Sequence, residues 1–338
     1  MASDGLWLEA EADRFISLAE IDRSDERFRI TTRRDSGDLR SSIRRFGLRT
    51  APLVLPADAG FVLVSGFRRV DACRGLGRER TPARVLRRGL CAYACSLLAV
   101  AENSLERSLN PIEISRALNL LEQHAPGGKL PPEDAAGLGL PVHPAQIARL
   151  KRLTRMPAEV QAAVLEGALE PAMADDLGDL EEALGIALAR LFRRLRPGLN
   201  KQREIVAFIM EIAAREGIGP KQVLEQAWKG CEGSAGDQED RNQQTHCLRQ
   251  CLRRRRFPAL AQAEENFHAL RRRLRLGDAI QLAPPRDFEG TRLTLTLNFE
   301  TLDDVARLRS KLDELIDRRD FRTLLTGKSR GFDGTSGV

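Results

Sequence analysis

The chain is poor in aromatic residues and lacks a long hydrophobic run. Phe, Trp and Tyr make up 5% of its 338 residues, so its cores must rest on Leu, Ala, Val and Ile. No apolar stretch approaches the roughly 18–20 residues that a membrane-spanning helix needs. The N-terminal sequence has neither the basic nor the apolar segment of a secretory signal. These absences exclude a membrane protein and predict a cytoplasmic one.

The six cysteines lack the spacing of a structural zinc site. His246, Cys247 and Cys251 follow Cys231 in the sequence, but the chain contains no CxxC pair. We therefore predict no metal. In a cytoplasmic chain we expect all six thiols to be reduced. Cys91 and Cys95, four residues apart, are expected to be small core residues.

What the chain does have is a moderate excess of positive charge. Its formal net charge is +6 and 30% of its residues are charged, while 42% are hydrophobic, which is enough for packed cores. The pI near 9.2 is compatible with a nucleic-acid partner without proving one.

Changes in hydrophobic pattern divide the chain into four segments, as its length allows. Residues 15–90 combine short strands, among them residues 28–31, with amphipathic helices, and predict a small mixed α/β domain. Residues 91–229 are helical throughout. Residues 230–256 begin rich in Gly, Asp, Gln and Asn and end basic, which predicts a flexible basic linker. Residues 257–325 predict a small αββα domain, so the fold class is multidomain α+β.

The first segment contains a motif suited to an anion. A strand ends at Ser65-Gly66 and leads into a helix that carries Arg68 and Arg69. Backbone N–H groups at a helix start and guanidinium groups both bind phosphate. Positive charge at a helix start is otherwise unfavourable, which an anionic ligand would explain. The alternative is that both arginines are ordinary surface charges.

A second polar cluster follows at the end of a helix predicted over residues 93–103. It consists of Glu102 and Asn103, with Arg107 shortly after. Two interpretations stay open. The cluster is either part of a nucleotide site or a helix end whose carboxylate pairs with an arginine.

Residues 131–154 predict a helix-turn-helix, with two short helices around Gly139. Ile147 and Leu150 of the second helix can face a core, which leaves its polar side for DNA. The candidate DNA-binding residues are His143, Gln146, Arg149, Lys151 and Arg152. In a major groove Gln can read adenine and Arg can read guanine. The alternative is a solvated helix face.

The last segment presents an apolar face that a domain of its size cannot cover alone. Residues 293–299 alternate apolar and polar side chains, and an amphipathic helix follows over residues 302–316. Dimerisation would cover this face. The candidate interface residues are Leu295, Leu297, Phe299, Leu308 and Leu312. The arginine runs 253–256 and 271–273 form either a solvated surface or a region that attracts DNA phosphates.

The order of these motifs resembles the ParB family of chromosome and plasmid partition proteins. The resemblance covers roughly residues 15–180, and the C-terminal segment is more weakly similar to the family's dimerisation domain. It is carried by Ser42-Ile43, Gly47-Leu48, Pro52-Leu53-Val54, residues 63–69, Ala72, Glu102-Asn103, residues 109–113, residues 156–161 and Glu166-Gly167.

The resemblance implies that CTP binding closes a dimeric clamp around DNA. By position, Gly66, Arg68 and Arg69 would bind the triphosphate. Glu102, Asn103 and Arg107 would bind the nucleotide or its Mg²⁺. Three positions differ from the family pattern, namely Phe67 in place of glutamate, and Asp71 and Glu106 in place of arginines. The resemblance leaves open whether the protein has a weak CTPase activity.

The leading interpretation is a homodimeric, sequence-specific DNA-binding protein that acts in partition and associates with the nucleoid. A two-fold symmetric protein matches a palindromic site on double-stranded DNA, and a ParA-type ATPase is a candidate partner. Two alternatives stay open. One is a ParB-like transcription regulator without CTP switching, and the other is a nucleotide-dependent phosphotransferase built on the same N-terminal fold.

Overall fold

Strands and helices alternate near the N-terminus, and helices dominate afterwards. The computed structural model describes residues 10–231, 238–285, 288, 292–319, 321 and 322. The strands are β1 (Ala10–Ser17), β2 (Leu53–Ala57), β3 (Gly60–Ser65), β4 (Arg80–Leu86), β5 (Ile280–Ala283) and β6 (Thr294–Leu297). The helices are α1 (Gly37–Phe46), α2 (Phe67–Gly75), α3 (Ala92–Ser104), α4 (Pro111–His124), α5 (Pro132–Gly137), α6 (Pro144–Arg152), α7 (Ala158–Leu165), α8 (Pro171–Gly178), α9 (Glu182–Leu195), α10 (Leu199–Glu216), α11 (Pro220–Lys229), α12 (Gln238–Arg256), α13 (Pro258–Leu274) and α14 (Leu302–Asp317). This confirms an α+β fold that is mostly helical with a small sheet.

The chain divides into two compact units, Met1–Arg203 and Glu204–Val338. The first unit contains β1 to β4 and α1 to α9, and the second contains α11 to α14 with β5 and β6. This division does not coincide with the predicted boundaries at residues 90, 229 and 256. The three-domain layout stays a prediction.

A four-stranded sheet of order β1-β4-β2-β3 organises the start of the first unit. β2 and β3 form an antiparallel hairpin, and β2 also pairs parallel with β4. The core beside the sheet is aliphatic, with Val54, Leu63, Val70 and Val85 buried. Phe61 and Phe67 pack against it from partly exposed positions. This packing fixes the end of β3, from which α2 begins.

Residues 28–31 do not form the strand predicted for them. Their backbone pairs with side chains of α4, because Arg116 Nη1 donates to Thr31 O at 2.9 Å. The neighbouring Thr32 N donates to Glu113 Oε1 at 3.0 Å. Phe28 and Ile30 are nevertheless buried. The alternating burial of these residues therefore arises from packing against helices. A two-residue hydrophobic period in the sequence cannot distinguish this arrangement from a strand.

The two helices predicted for the helix-turn-helix are present as α5 and α6. Leu150 is buried as predicted, and Ile147 is half-buried. The C-terminal end of α6 is fixed to α4, because Asn119 Nδ2 donates to Lys151 O at 3.0 Å. The exposed side of α6 is therefore held in a defined orientation within the first unit.

The predicted linker is wrong over residues 238–256, which form α12. Leu248 and Leu252, four residues apart, are fully buried on one side of this helix. Its arginines are held by glutamates of the second unit, with Arg249 on Glu204, Arg253 on Glu264, Arg255 on Glu216 and Arg256 on Glu211. The local excess of positive charge therefore does not indicate a flexible chain. Residues 232–237 lie outside the described residues.

Cys231 and Cys247 form a disulfide, with their Cα atoms 5.8 Å apart. The expectation of six reduced thiols is wrong for this pair, because packing of α12 brings together cysteines 16 residues apart in sequence. Cys95 is buried, and burial raises the pKa of its thiol to about 11. Cys91 is exposed, so the expectation of a core position is correct for Cys95 alone.

The second unit ends in the predicted order of helix, two strands and helix. Phe267, Leu282 and Leu315 form a small core. The candidate interface residues divide into four kinds. Leu295 and Leu312 pack against this core, Leu297 is half-buried and Leu308 is buried, whereas Phe299 lies beyond β6 and is 60% exposed. Residues 323–325 of the predicted domain lie outside the described residues.

Within the part of the chain that the structure describes, no helix is both long enough and apolar enough to cross a membrane.

Gly66 makes the turn between β3 and α2, and we predict that it tolerates no side chain. Its φ is 91°, and a Cβ added there would lie 2.9 Å from Pro52 Cα. Gly66→Ala should therefore cost about 3 kcal/mol, since backbone strain and overpacking add. The measurement is urea unfolding followed by circular dichroism.

The matched control is Gly77→Ala. Gly77 also has a positive φ, of 70°, but no described atom lies within 4 Å of an added Cβ. This variant should lose only about 1 kcal/mol, the conformational cost alone. Equal losses in the two variants would contradict the steric explanation.

Candidate nucleotide and DNA sites

A cavity of about 520 Å³ opens where β3 ends, between α2 and the helices α3 and α4. All six residues predicted to bind a nucleotide line it, namely Gly66, Arg68, Arg69, Glu102, Asn103 and Arg107. Its volume lies in the range of small-molecule sites. The tertiary structure thus brings the two motifs together across the 33 residues that separate Arg69 from Glu102.

The start of α2 faces this cavity. The first helical hydrogen bond runs from Val70 N to Gly66 O at 3.0 Å. The N–H groups of the preceding residues, Phe67 to Arg69, therefore lie at the open end of the helix. Such groups and the positive end of the helix dipole favour an anion.

The two arginines of the motif have different environments. Arg69 Nη1 donates to Thr50 O and Ala51 O, both at 3.1 Å, and its Nη2 lies 3.5 Å from Glu102 Oε2. Its side chain is 17% exposed. Arg68 Nε donates to a neutral acceptor, Asp35 O, at 3.0 Å. Arg69 is thus held by a carboxylate, whereas the contact of Arg68 leaves its charge uncompensated.

Sequence reasoning missed a third arginine on the cavity wall, Arg33, which is exposed. It lies in the irregular segment after residues 28–31 and belongs to no motif, so the sequence carries no signal for it. Asn103, at the opposite wall, donates from Nδ2 to Ala99 O at 2.8 Å within its own helix.

The opposite wall depends on the buried carboxylate of Glu113. Arg107 donates to both of its oxygens, at 2.6 and 3.0 Å. Thr32 N and Asn110 N donate to it at 3.0 and 3.2 Å. Burial alone would raise the pKa of Glu113, but these hydrogen bonds outweigh it and hold the pKa below its ordinary value. Arg107 is therefore largely committed to Glu113.

Phe67 stands on the wall where the family pattern has a glutamate. The guanidinium carbon of Arg29 lies 5.4 Å from the centre of its ring. This is a cation–π contact, in which the face of the ring attracts the guanidinium. Arg29 belongs to none of the sequence motifs, so the sequence carries no signal for it.

The donor set of the cavity fits a phosphate anion better than a metal ion. Glu102 is paired with Arg69 and Glu113 with Arg107. No group of three or more His, Cys, Asp or Glu residues could hold a metal anywhere in the described ranges. A Mg²⁺ ion here would depend on oxygens of the nucleotide itself, as is common for this ion.

The five candidate DNA-binding residues divide into two groups along α6. His143 and Gln146, at its N-terminal end, are exposed. The three basic residues at its C-terminal end are each held by a carboxylate. Lys151 pairs with Glu122, Arg149 lies 3.4 Å from Asp175, and Arg152 lies 2.7 Å from Asp175 and 2.5 Å from Asp179. The sequence gives no signal for these partners, which lie 23–29 residues away.

Two curated proteins of Pseudomonas putida, each named probable chromosome-partitioning protein ParB, are 30% identical to this chain over 146 residues. The match covers 43% of this chain and 48% of each relative. The chain thus spans about half the length of the curated relatives it matches. No family model matches the chain.

Two solved structures of C-terminally truncated ParB from Caulobacter crescentus also align with the chain. One is complexed with CTP-gamma-S and covers 54% of this chain and 99% of its own, at 26% identity and a TM-score of 0.26. The other is complexed to the centromeric parS site and covers 56% and 96%, at 23% identity and a TM-score of 0.35. At these TM-scores neither superposition supports an assignment.

The fold and the cavity define a mostly helical α+β protein with an arginine-lined pocket at a helix start. Over 146 residues the chain is similar in sequence to the Pseudomonas ParB proteins. The resemblance to the ParB family that the order of the motifs predicts is thereby confirmed.

We predict that Glu113 makes the free energy of unfolding depend on pH in the acidic range. Its pKa is lower in the folded than in the unfolded chain, so its contribution is complete above the unfolded value. It is lost as the pH falls through the lowered native pKa. Glu113→Gln should cost about 2 kcal/mol at pH 7.

The test is the unfolding free energy of both proteins between pH 7 and pH 3. The difference in unfolding free energy between the unaltered chain and Glu113→Gln should become smaller as the pH falls, because Glu113 becomes protonated and neutral. A difference that does not change with pH would show that the charge of Glu113 contributes nothing.

Proposed function

We propose that this chain is a sequence-specific DNA-binding protein of the ParB type that acts in chromosome or plasmid partition. In this proposal CTP occupies the cavity in the first unit and controls engagement of DNA by a dimeric clamp. The observation that carries the proposal is the convergence of both predicted nucleotide motifs on one cavity. Association with the nucleoid and a ParA-type ATPase partner belong to the same proposal.

The cavity supports a triphosphate at the start of α2. Arg68 and Arg33 line this wall, together with the turn at Gly66. Arg69 then has a supporting role, since Glu102 and two carbonyl oxygens fix its guanidinium. A phosphate close to Gly66 could receive N–H donors from the backbone and charged donors from Arg68. When bound, the nucleotide would supply the phosphate oxygens that a Mg²⁺ ion requires.

Binding is better supported than hydrolysis. Activation of a water molecule commonly requires a carboxylate within hydrogen-bonding reach. Position 67 is a phenylalanine, and Glu102 and Glu113 are both paired with arginines. This leaves Glu106, which is exposed, as the remaining carboxylate among the lining residues. We therefore propose a nucleotide that acts mainly as a switch, with weak CTPase activity at most.

DNA binding is assigned to the exposed side of α6. His143 and Gln146 are available for base edges at the N-terminal end of the helix, where recognition helices commonly make base contacts. Arg149, Lys151 and Arg152 would add phosphate or base contacts after exchange of their present partners. A dimer would place two such helices on a palindromic site.

Dimerisation is assigned to the C-terminal part of the second unit. Phe299, Leu302 and Val305 are exposed there, with Leu302 at 87%. Three large apolar side chains near the start of one helix favour a second protein surface. Of the residues predicted from the sequence, Phe299 fits this role best, because Leu308 is already buried within the single chain.

Arg68→Ala should weaken CTP binding at least tenfold. Loss of a charge-assisted contact to phosphate costs about 1.5–3 kcal/mol, which corresponds to about ten- to a hundredfold in affinity. Titration calorimetry with CTP and Mg²⁺, with and without DNA, measures this. Arg44→Ala, which removes an exposed arginine of α1, is the control and should leave affinity unchanged.

Two results would favour an alternative function over the proposed one. Absence of CTP binding by the unaltered chain would reject the switch and favour a transcription regulator. Transfer of labelled γ-phosphate to a small molecule or protein without DNA would favour the phosphotransferase alternative.

Deletion of residues 257–325 should convert a dimer into a monomer, because it removes the exposed apolar face. Sedimentation velocity of the deleted and full chains measures this. A chain that lacks only residues 326–338 is the control and should remain dimeric. A dimer that survives the larger deletion would place the interface elsewhere.

A further inference from the structure

A single carboxylate on α8, that of Asp175, holds both arginines at the C-terminal end of α6. Its Oδ2 lies 3.4 Å from Arg149 Nε, and its Oδ1 lies 2.7 Å from Arg152 Nη1. We propose that Asp175 is a specificity-determining residue, which orients these two arginines and keeps them from binding phosphates of non-cognate DNA. The inference rests on the proposed function of α6 in DNA binding.

The exposure of the three side chains supports this role. Asp175 is 18% exposed, whereas Arg149 and Arg152 are 48% and 44% exposed. The carboxylate is thus largely buried, whereas the side chains of the two arginines remain accessible to solvent. DNA can approach Arg149 and Arg152 while Asp175 keeps them in place.

The pairing is suited to exchange. Asp175 Oδ1 is closed off from solvent. Its 2.7 Å contact with Arg152 Nη1 is an ion pair in which the arginine side chain remains 44% exposed. A phosphate can compete for such an arginine, but only against the attraction of Asp175.

Competition of this kind acts unequally on cognate and non-cognate DNA. Non-specific binding depends almost entirely on phosphates that release their counterions when they meet Lys or Arg. An arginine that Asp175 holds contributes less to this non-specific affinity. Cognate DNA can use the oriented guanidinium groups on base edges and adds contacts at His143 and Gln146. Asp175 thus lowers non-specific affinity more than specific affinity.

The neighbouring residue offers a matched control. Asp176 lies on the same helix and is 53% exposed, but it pairs with Arg203, at 3.8 Å, rather than with a residue of α6. Asp175→Asn and Asp176→Asn remove the same charge one residue apart. Any general electrostatic effect on DNA binding is therefore common to both variants. Only Asp175→Asn removes the carboxylate that Arg149 and Arg152 share, while Arg152 keeps its contact with Asp179.

The experiment uses the full chain and two fluorescent duplexes. One is selected by the unaltered chain from a randomised pool, and the other is a shuffled duplex of equal length. Affinity is measured by anisotropy at several salt concentrations. Asp175→Asn should bind the shuffled duplex about tenfold more tightly, with a log–log salt slope steeper by about 1–2, as expected for one or two additional phosphate contacts. Its ratio of selected to shuffled affinity should fall.

The controls make the inference falsifiable. Asp176→Asn should keep the slope and the ratio of the unaltered chain, and Asp175→Glu, which retains the charge, should do the same. Equal slopes in Asp175→Asn and Asp176→Asn would overturn the role of Asp175 while leaving DNA binding intact. Failure of the unaltered chain to bind either duplex would instead reject the DNA-binding function itself, and this inference with it.

Discussion

The buried carboxylate of Glu113 is the contact on which the candidate nucleotide site depends. It accepts a hydrogen bond from the backbone N–H of Asn110, the residue that caps α4. It also fixes the irregular segment before α1 through Thr32 and holds Arg107 with two hydrogen bonds. A charge in this position is tolerable only because every one of these donors is present. The same carboxylate therefore sets the shape of one cavity wall and removes one arginine from the set that could bind phosphate.

The positive charge of the cavity is distributed unevenly, because some of its arginines are paired with carboxylates and others are not. Arg69 and Arg107 are committed to Glu102 and Glu113, whereas Arg68 contacts a neutral carbonyl oxygen. Positive potential is thus concentrated near the start of α2, where the helix dipole adds to it. This is the physical reason that the cavity favours a phosphate group over a metal ion and favours binding over hydrolysis.

Arginine–carboxylate pairs recur as a structural device along the chain. On α6 they hold the C-terminal basic residues. On α12 they compensate the charges of a helix for which the composition predicted a flexible basic linker. Arg255, for example, donates to Glu216, and this pairing helps lower the pKa of that carboxyl to about 2. A moderately basic chain of this kind presents fewer free arginines than its composition suggests. Its binding surfaces are defined by which carboxylates lie nearby.

Elements whose signals are local could be predicted from the sequence. The turn at Gly66 and the two helices around Gly139 follow from residue spacing and turn chemistry. The irregular path of residues 28–31, the helical state of residues 238–256, the Cys231–Cys247 disulfide and the partners of Arg69, Arg107 and Arg149 depend on tertiary packing. Periodicity reports which face of an element is apolar. The pairing of charges and sulfurs between elements depends on distances that arise only when those elements pack.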